Sequence, residues 1–143
     1  MSYKGRAYVG GTFDVPHYGH FRLFKRLKEE GYDVIVSLNT DEFNKRFKGK
    51  KPLMDLNERM ESVKACRYVD EVIINVGDED STQAILFSQA KVVVHGTDWT
   101  GEELKWQMGI TEKFLDDNFI KMKYVPYTKG ISTTEILKRA RKK

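Results

Sequence analysis

Cysteine is nearly absent from this chain of 143 residues, and long hydrophobic runs are missing altogether. The single cysteine, Cys66, excludes an internal disulfide bond. We therefore expect a reducing, cytoplasmic environment in which Cys66 is a small apolar residue rather than a catalytic thiol. No apolar run approaches the roughly 20 residues that span a bilayer, and the N-terminal residues do not resemble a signal peptide, so we expect no membrane partner.

Internal repeats, linkers and low-complexity segments are also absent, and the chain contains only three prolines. A chain of this length can bury a proper core, so we predict a single domain over residues 1–143. The net charge is +4, and residues 138–143 carry five of the positive charges. We interpret this tail as the solvated end of a helix, where cations complement the helix dipole, in preference to a contact with nucleic acid.

Short β-branched runs alternate with segments of helical periodicity along the chain. The predicted strands are 6–9, 34–38, 71–76, 92–94 and 122–125, and the predicted helices are 18–30, 55–69, 82–88, 102–116 and 133–141. This alternation predicts an α/β fold, a Rossmann-like single domain with a five-stranded parallel sheet and helices on both faces. Ligands of such sheets bind beyond the carboxyl ends of the strands, which directs attention to the segments that follow them.

The segment 10–20, GGTFDVPHYGH, leaves the first predicted strand and enters the first predicted helix. A strand, a glycine turn and a helix aim backbone N–H groups at an anion, and the spacing puts His17 and His20 on one face of the first helical turn. The segment is neither a Walker A loop nor GxGxxG, so its glycines alone are a weak phosphate signal. Two imidazoles strengthen that signal because they can donate to phosphate oxygens, and we predict a nucleotide phosphate site with catalytic histidines.

Two alternatives remain open for these histidines. His17 and His20 could be only cap and core residues of the helix. With His95 at the end of the fourth strand they could instead form a catalytic zinc site of three imidazoles and water. We prefer the phosphate interpretation because the loop explains the pair without a metal, and we interpret His95 as a polar residue that closes a strand.

Two further segments follow predicted strands at the same edge of the sheet. The basic segment 45–52 is predicted as a loop that folds over a polyphosphate, although a solvated charge run is an equally weighted interpretation. In the segment 96–99, Asp98 could hold a sugar hydroxyl or a metal and Trp99 could line a pocket. The alternative for 96–99 is a simple turn with one packing aromatic side chain.

The starts of two helices are well marked. Asp55 is predicted as an N-cap with an acid three residues on. Ser132 and Glu135 predict a capping box, which leaves Thr133 and Thr134 free to hold phosphate at the last helix.

Together these segments resemble the cytidylyltransferase branch of the HxGH nucleotidyltransferase superfamily, and most of all the bacterial glycerol-3-phosphate cytidylyltransferases. The matching segments are 11–20 (GTFDVPHYGH), 40–44 (TDEFN), 48–51 (KGKK), 67–72 (RYVDEV) and 130–134 (GISTT). The resemblance runs from about residue 7 to residue 136. An HxGH motif alone would indicate only the superfamily, whereas HxGH with ISTT in this order and spacing is specific.

The resemblance implies transfer of CMP from CTP to a small alcohol phosphate, with sn-glycerol 3-phosphate as the expected acceptor and pyrophosphate as the second product. It implies no covalent intermediate, Mg²⁺ bound with the triphosphate rather than in a metal site of the protein, and a homodimer. The implied catalytic residues are His17, His20 and Lys48. The implied acceptor contacts are Lys48, Asp41 and Tyr127. The implied nucleotide contacts are Gly11, Thr12, Phe13, His17, Gly19, His20, Lys50, Arg67, Thr128, Gly130, Ile131, Ser132, Thr133 and Thr134.

The chain departs from the family pattern in four places. The family's Arg-Thr-x-Gly begins with Tyr127, which removes a bidentate phosphate fork and leaves Lys129 as only a point charge. The family's Gly-Asp-Asp-Trp has Thr97 in place of one carboxylate, the segment 102–116 is an insertion, and the segment 78–81 lacks the lysine expected near the acceptor phosphate. All four lie towards the acceptor or the later phosphates, so nucleotidyl transfer is better supported than the acceptor's identity.

Two other functions stay open. A related nucleotidylyltransferase could use ATP, or an acceptor such as a phosphorylated sugar, a polyol phosphate or a phosphonate. A non-catalytic nucleotide- or nucleic-acid-binding module is the alternative of a different class, and the intact histidine pair argues against it.

Overall fold

The computed structural model describes residues 2–96, 109–126, 128 and 130–142. Its elements in chain order are β1 (Gly5–Gly11), α1 (Tyr18–Glu29), β2 (Tyr32–Leu38), α2 (Asp41–Lys48), α3 (Leu56–Lys64), β3 (Glu71–Ile74), α4 (Thr82–Ser88), β4 (Ala90–Gly96), α5 (Glu112–Asp117), β5 (Lys121–Val125) and α6 (Thr133–Arg141). Within the described ranges, no helix is both long enough and apolar enough to cross a bilayer.

The five strands form one sheet in the order β3-β2-β1-β4-β5, and every neighbouring pair is parallel. From β1 the chain adds β2 and then β3 on one side of the sheet. It then crosses to the other side of β1 and adds β4 and β5, so the strand order reverses between β1 and β4. The crevice at this reversal lies at the carboxyl end of β1. The predicted α/β fold with a five-stranded parallel sheet is confirmed.

Two buried layers cover the faces of the sheet. Ala7 and Val9 of β1 face the layer that α1 and α3 complete, whereas Tyr8, between them, faces the layer of α4 and α5. Phe24 of α1 and Ile85 of α4 are fully buried in the two layers. Each such side chain contributes about 1.5–3 kcal/mol through removal from water, and together they hold the turn after β1 on a rigid scaffold.

Two predicted helices are corrected by the structure. The segment predicted as a helix over 102–116 is not helical at 109–111, because Gly109 has φ +70° and Thr111 caps a short new helix, α5. The helix predicted over 55–69 ends at Lys64. Residues 97–108, with Thr97, Asp98 and Trp99, and the residues Tyr127 and Lys129 lie outside the described residues.

The basic segment 45–52 was expected to be a loop, and half of it is helical. Lys48 is the last residue of α2, which starts at the Thr40 cap and ends where Gly49 takes a φ of +78°. Because acidic side chains open this short helix and basic side chains close it, the charges agree with the helix dipole. The predicted cap at Asp55 is confirmed as a full capping box with Glu58.

Candidate active site

In the turn after β1, the residues with a left-handed backbone conformation are not glycines. Phe13 has φ +53° and Val15 has φ +51°, whereas Gly11 is still part of β1. The Phe13 ring packs against His20 with centroids 4.9 Å apart and against Phe24 at 5.6 Å. A Cβ on Gly11 would lie 2.9 Å from the Phe13 ring, so Gly11 provides room for this buried ring.

His17 and His20 form a reciprocal capping box at the start of α1. The Nδ1 atom of His17 accepts from the N–H of Gly19 at 3.1 Å, and the Nδ1 atom of His20 accepts from the N–H of His17 at 3.2 Å. The two rings are stacked with centroids 3.9 Å apart. Because each Nδ1 is an acceptor, these bonds assign the proton of each neutral ring to Nε2. The pair therefore has two Nε2–H donors left for an anion.

Burial lowers the pKa of both histidines. The pKa of His20 falls to about 4, first because the ring is buried and then because His17 lies beside it, and burial alone lowers the pKa of His17. Both rings are therefore neutral donors at pH 7. A bound polyphosphate favours the charged imidazole, so it would raise both pKa values and strengthen the donors where negative charge accumulates.

A cavity of about 570 Å³ lies between α1 and the segment that follows β5. It is lined by His17, Gly19, His20, Arg22, Leu23, Arg26, Val125, Pro126, Thr128, Ile131, Ser132 and Thr133. The structure thus brings together seven of the predicted site residues from the two ends of the chain. Arg22 and Arg26 were not predicted, although their spacing of four residues along an amphipathic helix places them on one face.

Gly19 permits the close approach of these two walls. A Cβ at this position would lie 2.9 Å from Cε1 of His17 and 3.0 Å from Cγ2 of Ile131. Only a residue without a side chain leaves the His17 imidazole and residues 130–134, the closing segment, where they are. The glycine of the HxGH motif therefore sets the width of the cavity.

The closing segment is fastened to the turn after β1. The hydroxyl of Thr133 donates to the backbone carbonyl of Asp14 at 2.6 Å, so the expectation that Thr133 is free is wrong. The Asp14 carboxylate accepts from the N–H groups of Leu53 and Met54, both at 2.9 Å. Ser132 accepts from the N–H of Glu135, which is one half of the predicted capping box. Asp14 thereby joins the turn after β1, residues 53–54 and the start of α6.

Arg59 is the main site-forming residue that the sequence analysis missed. Its side chain is fully buried and donates to the carbonyls of Thr12 and Asn39, both at 2.8 Å, and to that of Met54 at 3.1 Å. Its guanidinium also pairs with Asp41 at 2.7 Å. Arg59 follows Leu56 by three residues on the buried side of α3, and that spacing was the available signal. It holds the loops after β1 and β2 together.

Two predicted contact residues are engaged in this support. The Asp41 carboxylate accepts from Arg59 and from the N–H of Leu56 at 3.3 Å. The Thr12 hydroxyl donates to Asn44 at 2.9 Å and accepts from Asn39 at 3.2 Å. Their implied contacts with acceptor and nucleotide stay predictions.

The predicted cations do not line the cavity. Lys48 and Lys50 are exposed at the end of α2, and Arg67 is exposed before β3, where its guanidinium donates to the hydroxyl of Tyr68 at 2.8 Å. Arg67 precedes β3 and so lies towards the end of the sheet where the parallel strands begin. Gly130 and Thr134 flank the lining residues without joining them.

The site has no preformed metal cage in the described part of the chain. No three His, Cys, Asp or Glu side chains lie together there in a way that could hold a metal ion. His17, His20 and His95 therefore do not form the alternative zinc site. A magnesium ion that arrives on the phosphates of a nucleotide needs no such cage, because Mg²⁺ keeps waters and phosphate oxygens as ligands.

The sheet reversal, the capped helix and the paired imidazole donors define a nucleotidyltransferase. A family model described as cytidylyltransferase-like matches residues 8–139, and the chain belongs to that family. The class and the family agree with the resemblance drawn from the motifs.

Individual relatives extend this placement. The glycerol-3-phosphate cytidylyltransferase of Bacillus subtilis (strain 168) is 39% identical over 88% of this chain and 89% of its own length. An FAD synthase of Pyrococcus horikoshii is 34% identical over 95% and 92%. The crystal structure of a lipopolysaccharide core biosynthesis protein from Thermoplasma volcanium superposes with a TM-score of 0.67, at 24% identity over 86% of this chain and 97% of that one, which supports the fold alone.

Proposed function

We propose that this nucleotidyltransferase transfers CMP from CTP to sn-glycerol 3-phosphate and releases pyrophosphate. The observation that carries the proposal is the mutually capped pair His17 and His20, whose free Nε2–H donors belong to a cavity completed by Thr128 and the segment 131–133. The substrates are those named for the relative from B. subtilis.

The reaction needs positioning and charge stabilisation more than a nucleophilic side chain. An oxygen of the acceptor phosphate forms a bond to the α-phosphorus of CTP, while the bond from that phosphorus to the bridging oxygen breaks and pyrophosphate leaves with the electron pair. His17 and His20 donate to the phosphate oxygens on which charge increases. Mg²⁺ enters with CTP as part of the substrate and neutralises charge on the triphosphate.

The exposed lysines after β2 complete the proposed site. Lys48 contacts the incoming phosphate and Lys50 the triphosphate, when the end of α2 and the following loop fold over the bound substrates. Exclusion of water in this way strengthens each electrostatic contact. Arg67 supports the anion site only through a rearrangement of its loop, because its present contact is with Tyr68.

Pyrophosphate release from CTP in the presence of sn-glycerol 3-phosphate tests the proposal. His17→Asn and His20→Asn are the sharpest variants, because both remove the imidazole donor. Asparagine is a favoured N-cap residue at position 17, and at position 20 its side-chain oxygen still offers an acceptor to the N–H of residue 17. We expect each to lower turnover about 100-fold or more while the circular dichroism spectrum is unchanged. Normal turnover in either variant would falsify the assignment of the pair to catalysis.

A second acceptor class is favoured by one observation. Where the family has a lysine near the acceptor phosphate, this chain has Asp78 and Glu79, which pair with Arg46 at 2.9 and 3.0 Å. A different phosphorylated acceptor, or ATP as the nucleotide in the manner of an FAD synthase, is therefore the alternative. Thermal shifts with CTP, ATP, GTP and UTP separate the nucleotides. A screen of phosphorylated alcohols, polyols, sugars and phosphonates then identifies the acceptor.

The assembly and location are part of the same proposal. We expect a cytoplasmic homodimer that binds no nucleic acid, on the strength of the family resemblance and the single cysteine. Light scattering at micromolar concentration tests the dimer, and a filter-binding titration with RNA and DNA tests the last point. Tight, salt-sensitive binding without pyrophosphate release would support the non-catalytic alternative instead.

A further inference from the structure

The cavity beside the histidine pair is cationic on the α1 side. Arg22 and Arg26 both line it, and none of its described lining residues is acidic. The remaining polar lining consists of the two imidazoles and the hydroxyl groups of residues 128 and 132, with the Thr133 hydroxyl, whose proton is already donated to Asp14. Guanidinium groups, imidazoles and hydroxyls are all donors to phosphate oxygens, so the lining has the composition of a polyphosphate site.

The two arginines differ in what already holds them. Arg26 pairs with Glu30 at 3.3 Å on its own helix. Arg22 has no carboxylate partner among the described residues, and its guanidinium instead lies over the ring of Tyr18, 5.1 Å from the centroid. That ring meets His17 edge-on with centroids 6.5 Å apart. Arg22 therefore keeps its hydrogen-bond donors unused while an aromatic platform holds it next to the histidine pair.

The sequence lacks one phosphate donor that the family pattern has. Position 127 carries a tyrosine where the family pattern has the arginine that precedes the closing segment, so the chain lacks a guanidinium fork there. Arg22 lines the cavity from α1 and can supply a planar donor there. Arg26 is less suited to this role because Glu30 already neutralises part of its charge.

We propose that Arg22 binds the terminal phosphates of the nucleoside triphosphate, and that Tyr18 is the residue that positions it. This inference rests on the proposed function for the identity of the nucleotide. The contact assigned to Arg22 is with the β- and γ-phosphates, which leave as pyrophosphate. Arg22 has no proposed role in acceptor binding.

Calorimetric titration with inorganic tripolyphosphate and with CTP, both in the presence of Mg²⁺, tests the proposal. The variants are Arg22→Ala, Arg22→Lys and Tyr18→Ala, with Tyr18→Phe as the variant that keeps the ring. Lys25→Ala is the matched control, because it also removes one positive charge from α1. Lys25 lies one turn further along the helix and borders a neighbouring cleft instead of this cavity. The three positions changed, 18, 22 and 25, are exposed, so the fold should tolerate the variants.

We expect Arg22→Ala to weaken tripolyphosphate and CTP binding at least tenfold, which is about 1.4 kcal/mol, and to leave the affinity for cytidine unchanged. Arg22→Lys and Tyr18→Ala should fall between Arg22→Ala and the wild type, and Tyr18→Phe and Lys25→Ala should bind within about twofold of the wild type. In turnover assays the KM for CTP should rise while the KM for the acceptor is unchanged.

Binding of tripolyphosphate within twofold of the wild type by folded Arg22→Ala overturns the proposal, as does an equal loss in Lys25→Ala. The proposed function fails separately. If the wild type binds tripolyphosphate through Arg22 but releases no pyrophosphate with any acceptor, the phosphate site stands and the transferase assignment does not. If the wild type turns over CTP and the Arg22→Ala variant has an unchanged KM for CTP, only the proposed role of Arg22 is refuted.

Discussion

The hydroxyl of Thr133 donates a 2.6 Å hydrogen bond to the backbone carbonyl of Asp14, a residue 119 positions earlier in the chain. This bond joins the turn after β1, which carries the histidine pair, to the first turn of α6, which carries the closing segment. The bond therefore links the two walls of the cavity before any ligand binds.

Replacement of Thr133 by valine tests this link. Valine keeps the shape of threonine but leaves the carbonyl of Asp14 without its donor, so we expect a loss of about 1 kcal/mol in the free energy of unfolding. The KM for CTP should rise at the same time because the walls are no longer joined. Thr134→Val is the control for stability, since Thr134 is exposed at the next position. Equal stability of the two variants in urea titrations would contradict the role of the bond.

Replacement of Arg59 by methionine should be far more costly. The change leaves Asp41 and three backbone carbonyls without their donor in a fully buried setting, and we expect a loss of about 3–5 kcal/mol. Arg59→Lys should not restore stability, because an ammonium group cannot reproduce the fork. Arg46→Met is the comparison, since Arg46 pairs with two carboxylates at an exposed position and its loss should be far less costly. Similar losses for Arg59→Met and Arg46→Met in chemical denaturation would refute this assignment.

The histidine pair makes stability depend on pH in a defined window. The pKa of His20 is lowered from 6.5 to about 4 in the folded chain, so the unfolded chain binds more protons between these values. Stability therefore rises with pH through the window and is lost as the pH falls from about 6.5 towards 4, by about 3 kcal/mol at most. His20→Asn should flatten this dependence, which unfolding titrations at pH 4.5, 5.5 and 7 measure. An unchanged slope would show that the proton is taken up elsewhere.

Substitution of Gly19 by alanine should separate activity from stability. Alanine favours the helix by up to about 1 kcal/mol, but its Cβ would crowd His17 and Ile131 at 2.9 and 3.0 Å. Either the imidazole or the closing segment must then move by several tenths of an ångström. We expect a rise of about tenfold or more in the KM for CTP with a nearly unchanged unfolding free energy. Gly49→Ala is a poor comparison because of its positive φ, so Ala140→Gly, at an exposed position inside α6, serves as the helix-propensity control.

The sequence was sufficient for features that rest on local periodicity. The five strands and the paired histidines at the start of α1 follow from short-range pattern, and the helices at 82–88 and 133–141 have the predicted bounds. Local charge also marked the cap at Asp55. These features depend on neighbours a few residues away, which is the range over which a single sequence is informative.

Features that depend on distant partners were not predictable in the same way. In the sequence, Arg59 cannot be told from a surface arginine. Its four acceptors come together only in the folded chain. Thr133 looks free until α6 is brought to Asp14. The helix over 102–116 was wrong at 109–111 because a left-handed glycine and a new N-cap outweigh the helical periodicity there.

The last helix, α6, buries none of its residues, and its best anchor to the rest of the chain is the bond from Thr133 to Asp14. A segment with so little buried surface opens at a far smaller free energy than the central strands. Amide hydrogens of α6 should therefore exchange with solvent through excursions in which the sheet remains folded. A polyphosphate that bridges the two walls would suppress these excursions, so occupancy of the site should be visible first as protection of the α6 amides.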